Sequence, residues 1–429
     1  MKQMITVVLL SVLLCATVYA EDAQSIADVF TMGKHKADVG LNFRSTWEDR
    51  DDGKDDEGHL GWLYAEFGFE TAPLSGVKVG ASCLSVAETW GSDIYDNEFG
   101  EDSDTFKGHW FTDGDVKHLI ELKNLYLNYS IPNTKSELLI GRKKFKKVAL
   151  MDGDVQEGVQ LKVGDIPQTK LYVGMITGWE DDISQSWDLD GVEDFTRDAD
   201  DTVDSATNSA GDAIYTCIAD VDVVEKRLKV TPFVVHHPDF LTTYGALAKA
   251  SMPVNDDVTL GIDGGWAEFS EQTDVTTDED AQTWKIHASA KVDKCYVGVG
   301  YFRVSDDPDA LTQSAGAKKT VGNYHWEPIK VGKVGLYAGG KGGDPDDSTI
   351  WVDAGFDVGK FSLDVIFGSS SFYNVKKKVD QDSIEIDAIA SYKFTSSFSG
   401  SLGWLHQEFD DNDAEKDRDF IMGGAKYSL

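Results

Sequence analysis

The sequence lacks any long hydrophobic run after its first twenty residues, and this absence excludes a helical membrane protein. A helix that crosses a bilayer needs about 18 or more consecutive apolar residues, and no such stretch follows that segment. A transmembrane β-barrel stays possible, because its strands alternate between apolar and polar residues and look hydrophilic on average.

Cysteine and basic residues are also scarce. The chain has 4 cysteines, and the three beyond Cys15 (Cys83, Cys217 and Cys295) are an odd number in apolar positions, which argues against a disulfide framework. It has 40 lysines and arginines against 75 acidic residues, and its formal net charge is −35. This charge excludes nucleic acid as a partner, because phosphate binding needs basic residues. We interpret the acidic runs as solvated loops.

The first twenty residues have the pattern of an export signal. Lys2 provides a positive start, an apolar run follows from Met4 to Leu14, and small residues end the segment at Ala20. We therefore predict a signal peptide over residues 1–20 and a mature protein over residues 21–429. Together with the strand pattern described next, this export signal predicts the bacterial outer membrane as the location.

Segments of about ten residues alternate in hydrophobicity between the acidic runs. In one of them Val39 and Leu41 alternate with Asp38 and Asn42. Tight turns such as residues 132–135 alternate with long acidic links. This arrangement predicts an all-β fold, a transmembrane antiparallel β-barrel with its short turns in the periplasm. Several aromatic residues near strand ends suit the two interfacial girdles of such a barrel, namely Trp47, Trp62, Trp179, Trp266, Trp284, Trp404 and Tyr427.

A simple reading of the alternation gives an odd number of strands, which a closed antiparallel barrel with both termini on one side forbids. The surplus segment is Ile329 to Tyr337, which follows Pro328 and precedes a glycine-rich stretch. We assign it to a long external loop over residues 305–347, and we predict a second long external loop over residues 179–211. The prediction is then 18 strands, with 16 as the alternative.

The last residues of the sequence have the pattern of the closing strand. Ile421, Tyr427 and Leu429 share one face with small residues, whereas Met422 and Lys426 lie on the other face. A closing strand pairs with the first strand, so that the sheet has no edge in the membrane.

The strongest candidate site follows the fifth predicted strand, where five basic residues (Arg142, Lys143, Lys144, Lys146 and Lys147) precede a group of acids. If this third external loop, residues 142–157, folds into the lumen, the two groups face each other across a constriction and create a transverse field. Alternatively, the basic residues bind lipid phosphates at the rim or pair with acidic loops. The candidate constriction residues are Arg142, Lys143, Lys144, Asp152, Asp154 and Glu157.

The polar register of the predicted strands supplies further candidates for the lining of the lumen. Any one of them is more often a solvated residue of the inner wall than a determinant of selectivity. These candidates are Asp38, Asn42, Arg44, Glu66, Glu70, Lys285, His287, Asp364, Glu385, Asp387 and Lys426.

The region from Lys123 to Trp179, with the runs LYLNY and ELLIGRKKFKKVALMDGDVQEGVQLKVG, resembles the strand, constriction loop and strand of Opr-type outer-membrane porins. That family includes the major porins of Campylobacter-like bacteria. The resemblance implies an eighteen-strand barrel, a third loop inside the lumen, inward basic residues opposite acidic residues of that loop, and a homotrimer. The sequence departs from the family at Leu429, where the family ends in phenylalanine.

These observations predict an outer-membrane porin that lets small hydrophilic solutes and ions diffuse passively through a charged constriction, surrounded by outer-membrane lipid and lipopolysaccharide. We expect no enzyme activity, no cofactor and no metal site. The adjacent pair His236-His237 beside Asp239 is the one local cluster that suggests catalysis or metal binding, but neighbours on an extended segment point to opposite faces. The alternative is a barrel with a blocked lumen that acts as an adhesin or structural protein through its acidic loops. Whether those loops bind calcium stays open.

Overall fold

The computed structural model describes residues 25–48, 56–91, 118–146, 155–180, 213–237, 241–271, 281–304, 330–331, 334–335, 348–374, 379–410 and 417–429. The predicted signal peptide, the candidate residues Asp152 and Asp154, and most of the two predicted long loops lie outside these residues.

One short helix precedes the strands. Helix α1 (Ile26–Thr31) is capped by Ser25, whose hydroxyl oxygen accepts a hydrogen bond of 3.2 Å from the Asp28 amide. The amide of Ala72, just after β2, donates to the Val29 carbonyl at 3.0 Å and fixes the helix against the barrel. In the part of the chain that the structure describes, no helix is long and apolar enough to cross a membrane.

The strands follow the helix in chain order. They are β1 (Lys34–Glu48), β2 (Asp56–Glu70), β3 (Val77–Gly91), β4 (His118–Ser130), β5 (Glu137–Lys143), β6 (Val155–Val163), β7 (Thr169–Glu180), β8 (Ile214–Val224), β9 (Leu228–His237), β10 (Leu241–Pro253), β11 (Val258–Glu271), β12 (Ala281–Val292), β13 (Cys295–Val304), β14 (Lys330–Val331), β15 (Val334–Gly335), β16 (Ser348–Val358), β17 (Phe361–Asn374), β18 (Val379–Lys393), β19 (Phe398–Phe409) and β20 (Arg418–Ser428).

Eighteen of these strands form one closed antiparallel sheet. Each strand pairs with its neighbours in the chain, and β20 pairs with both β19 and β1. The β1–β20 register begins at Asp38 opposite Ser428, and the Leu429 amide donates to the Ala37 carbonyl at 2.9 Å. The predicted closing strand and the predicted strand number are therefore confirmed, and the closed sheet leaves no unpaired edge.

The surplus segment does not join the barrel. In the described residues β14 pairs with β15 alone, through Lys330 opposite Gly335 and Val331 opposite Val334. The barrel passes directly from β13 to β16, whose register places Val299 opposite Val352. Removing this segment from the count gave the prediction of 18 strands, and the topology confirms that number.

The two ends of the barrel differ in the length of their connections. At one end, the short-turn end, the connections are residues 71–76, 131–136, 164–168, 225–227, 254–257, 293–294, 359–360 and 394–397. At the other end the longest are residues 92–117, 181–213 and 305–347, but residues 238–240 and 375–378 are as short as the turns. The predicted alternation of short and long connections therefore holds only in part.

Two neighbouring turns at the short-turn end are tied together by Asp165. Its carboxylate accepts hydrogen bonds from the Ser136 hydroxyl at 2.6 Å and from the Lys135 amide at 2.9 Å. The bond from Ser136, followed by the bond from Lys135, lowers the pKa of the Asp165 carboxyl group.

Alternation along each strand decides which side chains face the lumen. On β16, Ile350 and Val352 are 56% and 48% exposed, whereas Trp351 and Asp353 are 2% and 1% exposed. The exposed apolar set is the outer face that contacts lipid in a membrane barrel, and the alternate set forms the inner wall.

The predicted girdle residues divide between these two faces. Trp266, Trp284 and Trp404 are exposed on the outer face, as predicted. The prediction for Trp62 is wrong, because Trp62 shares the strand parity of the buried Glu66 and lies on the inner wall.

Candidate functional site: the inner wall of the barrel

The third loop starts on the inside of the barrel. Strand β5 ends at Lys143, and the amides of Phe145 and Lys146 then donate to the side-chain oxygens of Gln156 and Gln160 at 2.8 and 3.0 Å. The Gln160 amide group also donates to the Lys146 carbonyl at 3.1 Å. Both glutamines are buried on β6. They give the departing backbone the hydrogen bonds that a neighbouring strand would otherwise supply.

Near the end of β5 the backbone adopts a conformation that glycine permits. Gly141 has φ +113 and lies opposite Gly158, which has φ +149. Side chains other than hydrogen are disfavoured in this region of φ, and a Cβ on Gly141 would collide with the Leu125 carbonyl oxygen. The β6–β7 register also shifts between Glu157 and Gly158. The wall is therefore distorted where the third loop leaves it.

One part of the inner wall, from β20 through β1 to β9, is rich in lysine. Among the residues that the structure describes, eight lysines here share five carboxylates in ion pairs of 2.9 to 3.9 Å, so lysines outnumber the carboxylates that they contact. We call this set the lysine arc: Lys36, Lys78, Lys123, Lys143, Lys146, Lys162, Lys229, Lys426, Asp38, Glu66, Glu70, Glu137 and Asp220.

Most carboxylates of the lysine arc are shared between two lysines. Asp220 on β8 lies 2.9 Å from Lys229 and 3.2 Å from Lys146, the residue at the start of the third loop. The Lys146 ammonium also lies 5.9 Å from the ring centroid of Tyr172. The same loop residue is thus held by backbone hydrogen bonds, by an ion pair and by an aromatic face.

A second group of the lysine arc lies beside the end of β5. The Tyr126 hydroxyl donates to Glu70 at 2.5 Å, and the Lys143 ammonium lies 3.7 Å from the centroid of the Tyr126 ring. Lys78 and Lys143 are 3.8 and 3.9 Å from Glu70. Lys123 is buried beside Glu66, but other lysines of the arc keep solvent contact, with 52% of the Lys36 side chain and 43% of the Lys229 side chain exposed.

The inner wall from β11 to β18 has the opposite character. Its acidic groups are mostly buried and lie on four strands, β11, β16, β17 and β18. We call this set the carboxylate arc: Asp263, His287, Asp353, Asp364, Glu385 and Asp387. Lys285 lies on the same wall, on β12, opposite Gly265 and the buried Phe302.

His287 joins three strands of the carboxylate arc. Its Nδ1 lies 3.1 Å from Asp263 on β11 and its Nε2 lies 2.8 Å from Asp353 on β16. The ring stacks on Trp351, with centroids 5.8 Å apart. Both rings lie over β13, where a Cβ on Gly300 would collide with Trp351. Two carboxylates facing the two ring nitrogens are satisfied when both nitrogens carry a proton.

The candidate constriction residues that the structure describes lie on different faces of the wall. Lys143 contacts Glu70 on the inner wall, and Lys144 is exposed after β5 ends. Arg142 and Glu157 lie opposite each other in the β5–β6 register, and Arg142 also lies opposite Leu125, which belongs to the outer face. Asp152 and Asp154 lie outside the described residues.

The candidate lining residues divide between the two arcs. Asp38, Glu66, Glu70 and Lys426 belong to the lysine arc. Asp364, Glu385, Asp387 and His287 belong to the carboxylate arc, where Asp364 accepts a hydrogen bond of 2.8 Å from the Tyr296 hydroxyl. Arg44 lies in β1 opposite Leu60 and Met422, and its side chain is outside the described part of the structure.

The other predicted cluster has a structural explanation. His236 lies 2.9 Å from the Thr242 hydroxyl and stacks on Tyr215. Within the described residues there is no group of three histidine, cysteine, aspartate or glutamate side chains that could hold a metal ion.

Sequence reasoning missed Gln156 and Gln160 and most of the lysines. The lysines could have been found by extending the strand parity to the strand ends, where Lys78, Lys162 and Lys229 lie. The two glutamines have no comparable signal, because their role depends on a backbone segment that approaches from another strand.

Comparison with known proteins identifies the family. The model of the family described as Campylobacter major outer membrane protein matches residues 85–419, well over half of the sequence. The chain belongs to this family. It is accordingly an outer-membrane protein, and the resemblance inferred from residues Lys123 to Trp179 is confirmed. No curated protein matches the sequence.

Solved structures show the same barrel at low sequence identity. Pseudomonas aeruginosa OprD is 13% identical, with a TM-score of 0.63 over 97% of this chain and 99% of that one. Acinetobacter baumannii OccAB4 is 12% identical, with a TM-score of 0.65 over 92% and 98%. P. aeruginosa OpdK, solved with vanillate, is 14% identical, with a TM-score of 0.62 over 92% and 98%. Such likeness establishes the fold alone. Porins of this kind are channels rather than enzymes.

Proposed function

We propose that this member of the family is a porin through which small hydrophilic solutes and ions diffuse passively, with the third loop and the charged inner wall forming the constriction. The observation that carries the proposal is the partial exposure of the lysine arc. Inner-wall side chains such as Lys36 and Lys426 keep 52% and 40% of their surface accessible, which fits a water-filled lumen beside them. A ring of charged groups around such a lumen sets the preference for ions.

The start of the third loop supports a constriction role. Lys146 is held to Gln160 by two backbone hydrogen bonds and to Asp220 by an ion pair of 3.2 Å. These contacts hold the first residues of the loop, Phe145 and Lys146, against β6 and β8 on the inside of the wall. Outer-membrane lipid and lipopolysaccharide then surround the apolar outer face, and residues 1–20 serve as the export signal.

Conductance in planar bilayers tests this function. Purified protein should give discrete ion-permeable steps, whereas an adhesin or structural barrel with a blocked lumen would give none. Gln160→Leu removes both bonds to the Lys146 backbone, each contributing about 0.5–1.5 kcal/mol, so the loop should leave the wall more often. We expect a higher and noisier single-channel conductance.

A matched control is available on β19. Gln407→Leu removes an equally buried inner-wall glutamine, remote in the sheet from the third loop, and should leave the conductance as it is. Steps that are absent from correctly folded protein would overturn the porin function. Equal effects of the two substitutions would overturn the anchoring role of Gln160.

A further inference from the structure

A group of polar side chains lies on the outer face of the barrel, towards the end that carries the long connections. In the register Glu268 on β11 lies opposite Gln282 on β12, and Arg303 on β13 lies opposite Trp284 on β12. Residues that lie opposite each other on paired strands point to the same side of the sheet. Trp284 is exposed on the outer face, and Gln282 shares its strand parity. Glu268, Gln282 and Arg303 therefore all point away from the lumen.

Aromatic rings adjoin these polar side chains. Trp266 lies opposite Trp284 in the β11–β12 register, and its ring meets the Tyr244 ring edge to face, with centroids 5.8 Å apart. The Tyr244 hydroxyl and the Gln282 amide group both donate to the Glu268 carboxylate, the amide at 3.3 Å. We call this set the outer patch: Tyr244, Trp266, Glu268, Gln282, Trp284 and Arg303.

The outer patch lies at one boundary of the apolar band. Strand β12 ends with Val292 beside the turn of residues 293–294, and Val292 and Ile286 are exposed apolar residues of its outer face. With a rise of about 3.3 Å per residue and a tilt of about 40°, Trp284 lies about 20 Å above Val292 and Gln282 about 25 Å above it. The apolar band of an outer-membrane barrel is about 25 Å tall. The rings thus lie just inside the band, and the Gln282 amide lies where lipid headgroups begin.

We infer that the outer patch is a binding site for the phosphorylated disaccharide headgroup of one lipopolysaccharide molecule. The inference rests on the part of the proposed function that surrounds the outer face with lipopolysaccharide, and it adds a defined site to that general contact. Arginine is always charged and binds phosphate through two parallel hydrogen bonds, so Arg303 provides the cation in a chain with a net charge of −35. Trp266 and Trp284 present flat apolar faces to the sugar rings.

The spacing of the polar groups favours a sugar over a phospholipid headgroup. Glu268 and Arg303 lie on strands that are separated by β12, about 10 Å apart across the sheet. A phosphorylated disaccharide spans this width, whereas two carbons join the ammonium of an ethanolamine to its own phosphate. Glu268 accepts hydrogen bonds and the Gln282 amide group both donates and accepts them, which suits the hydroxyl and amide groups of amino sugars. The acyl chains then run along the apolar face past Ile286.

A second aromatic group on the outer face lacks this combination. On β19 the Trp404 indole donates to Asp419 at 3.2 Å, and His406 lies 3.1 Å from the same carboxylate. Trp404 is as exposed as Trp284, with 42% against 40% of its surface accessible. Its indole group adjoins an anion, which repels phosphate, whereas Trp284 lies opposite Arg303. Trp404 is therefore a matched control for Trp284.

Native mass spectrometry tests whether the molecule is held. Protein extracted from outer membranes in mild detergent should carry one lipopolysaccharide molecule per chain. Arg303→Gln removes a charge-assisted hydrogen bond and should weaken binding about tenfold. Trp284→Leu should also lose the lipid, whereas Trp404→Leu should keep it. Native protein without bound lipid, full retention by Arg303→Gln, or equal losses from the two tryptophan variants would overturn the inference. Heat-modifiable gel mobility shows that each variant has folded.

A titration with defined lipids tests the chemistry of the headgroup. Protein freed of lipid by detergent exchange is titrated with purified lipopolysaccharide, with the same lipid after removal of its phosphates, and with phosphatidylethanolamine. Dephosphorylation should weaken binding to the native protein about tenfold and leave binding to Arg303→Gln unchanged, because both changes remove the same contact. Equal weakening for both proteins would overturn the role of Arg303.

Two further outcomes complete this test. Phosphatidylethanolamine that binds as tightly as lipopolysaccharide would assign the outer patch to phospholipid and overturn the inference. If Arg303→Gln does not fold, Arg303→Lys keeps the charge but loses the paired hydrogen bonds, and it should still bind phosphorylated lipid more weakly than the native protein. Conductance in bilayers made without lipopolysaccharide reports separately on the porin function.

Discussion

The lysine arc and the carboxylate arc of the inner wall differ in how their charged side chains are exposed to solvent. In the lysine arc, most lysines are partly exposed and share carboxylates, as where Lys146 and Lys229 both contact Asp220. In the carboxylate arc, Asp353 is 1% exposed and faces His287 at 2.8 Å. Solvent-exposed ion pairs contribute little to the free energy of unfolding. Breaking a buried pair leaves one charged group buried without its partner, and this costs much more. We therefore expect substitutions in the lysine arc to change ion selectivity and substitutions in the carboxylate arc to change stability.

The largest effect on stability should follow from removing His287 from between Asp263 and Asp353 in the carboxylate arc. His287→Ala leaves Asp353 and Asp263 without their common partner, and removing one member of a buried pair costs about 3–5 kcal/mol. Lys36→Ala removes partly exposed ion pairs and should cost less than about 1 kcal/mol. Unfolding in urea, followed by heat-modifiable gel mobility, measures both. Similar losses for the two variants would remove the distinction between the arcs.

An intermediate effect is expected from filling the space under the stacked rings. Gly300→Ala places a methyl group against Trp351, and overpacking of this kind costs about 1–3 kcal/mol. Gly400→Ala is the control, because its nearest neighbours would be 3.4 and 3.5 Å from the new Cβ, an ordinary contact. Urea unfolding midpoints should fall for Gly300→Ala and stay near the native value for Gly400→Ala. If both midpoints stay near native, the rings do not require glycine.

The smallest free-energy change per substituted residue is expected in the lysine arc. We expect this change in the interaction with permeating ions, so it should be measurable as ion selectivity. Lys36→Gln, Lys146→Gln and Lys229→Gln together remove three positive charges from the inner wall. One charge at about 5 Å from an ion in water contributes about 0.8 kcal/mol, so the cation-to-anion permeability ratio should rise several-fold, and less at high salt. Reversal potentials in a salt gradient measure this ratio.

The carboxylate arc provides the control substitution for that experiment. Glu385→Gln changes a side chain that is almost fully buried on β18, so the reversal potential should change less than for the lysine variant. A larger change for Glu385→Gln would show that the carboxylate arc, and not the lysine arc, controls the passing ions.

Much of the fold was predictable from local pattern, because barrel strands can be recognised by the alternation of apolar and polar residues. The parity of Ile421 and Tyr427 predicted the outer face of β20, and the turn at residues 164–168 was found where the pattern breaks. Trp62 shows the limit of this reasoning, since an aromatic residue near a strand end suits either face and only the parity of its own strand decides.

The candidate site was less predictable, because it depends on where strands end. Arg142 and Lys143 are neighbours in sequence and equally basic, yet one contacts Glu157 on the outer face and the other Glu70 on the inner wall. A cluster of basic residues predicts charge in a region. It does not predict which members share a face once the segment continues as a strand, where successive side chains point to opposite sides.

The sequence by itself determined the family and the barrel and left 18 or 16 strands, because alternation, turns and the run from Lys123 to Trp179 are local features; the topology decided for 18. The tertiary structure decided which charges meet. Asp263, His287 and Asp353 are far apart in the chain and become neighbours only because β11, β12, β13 and β16 lie side by side. Contacts between strands follow from register and closure, which no single segment of the sequence contains.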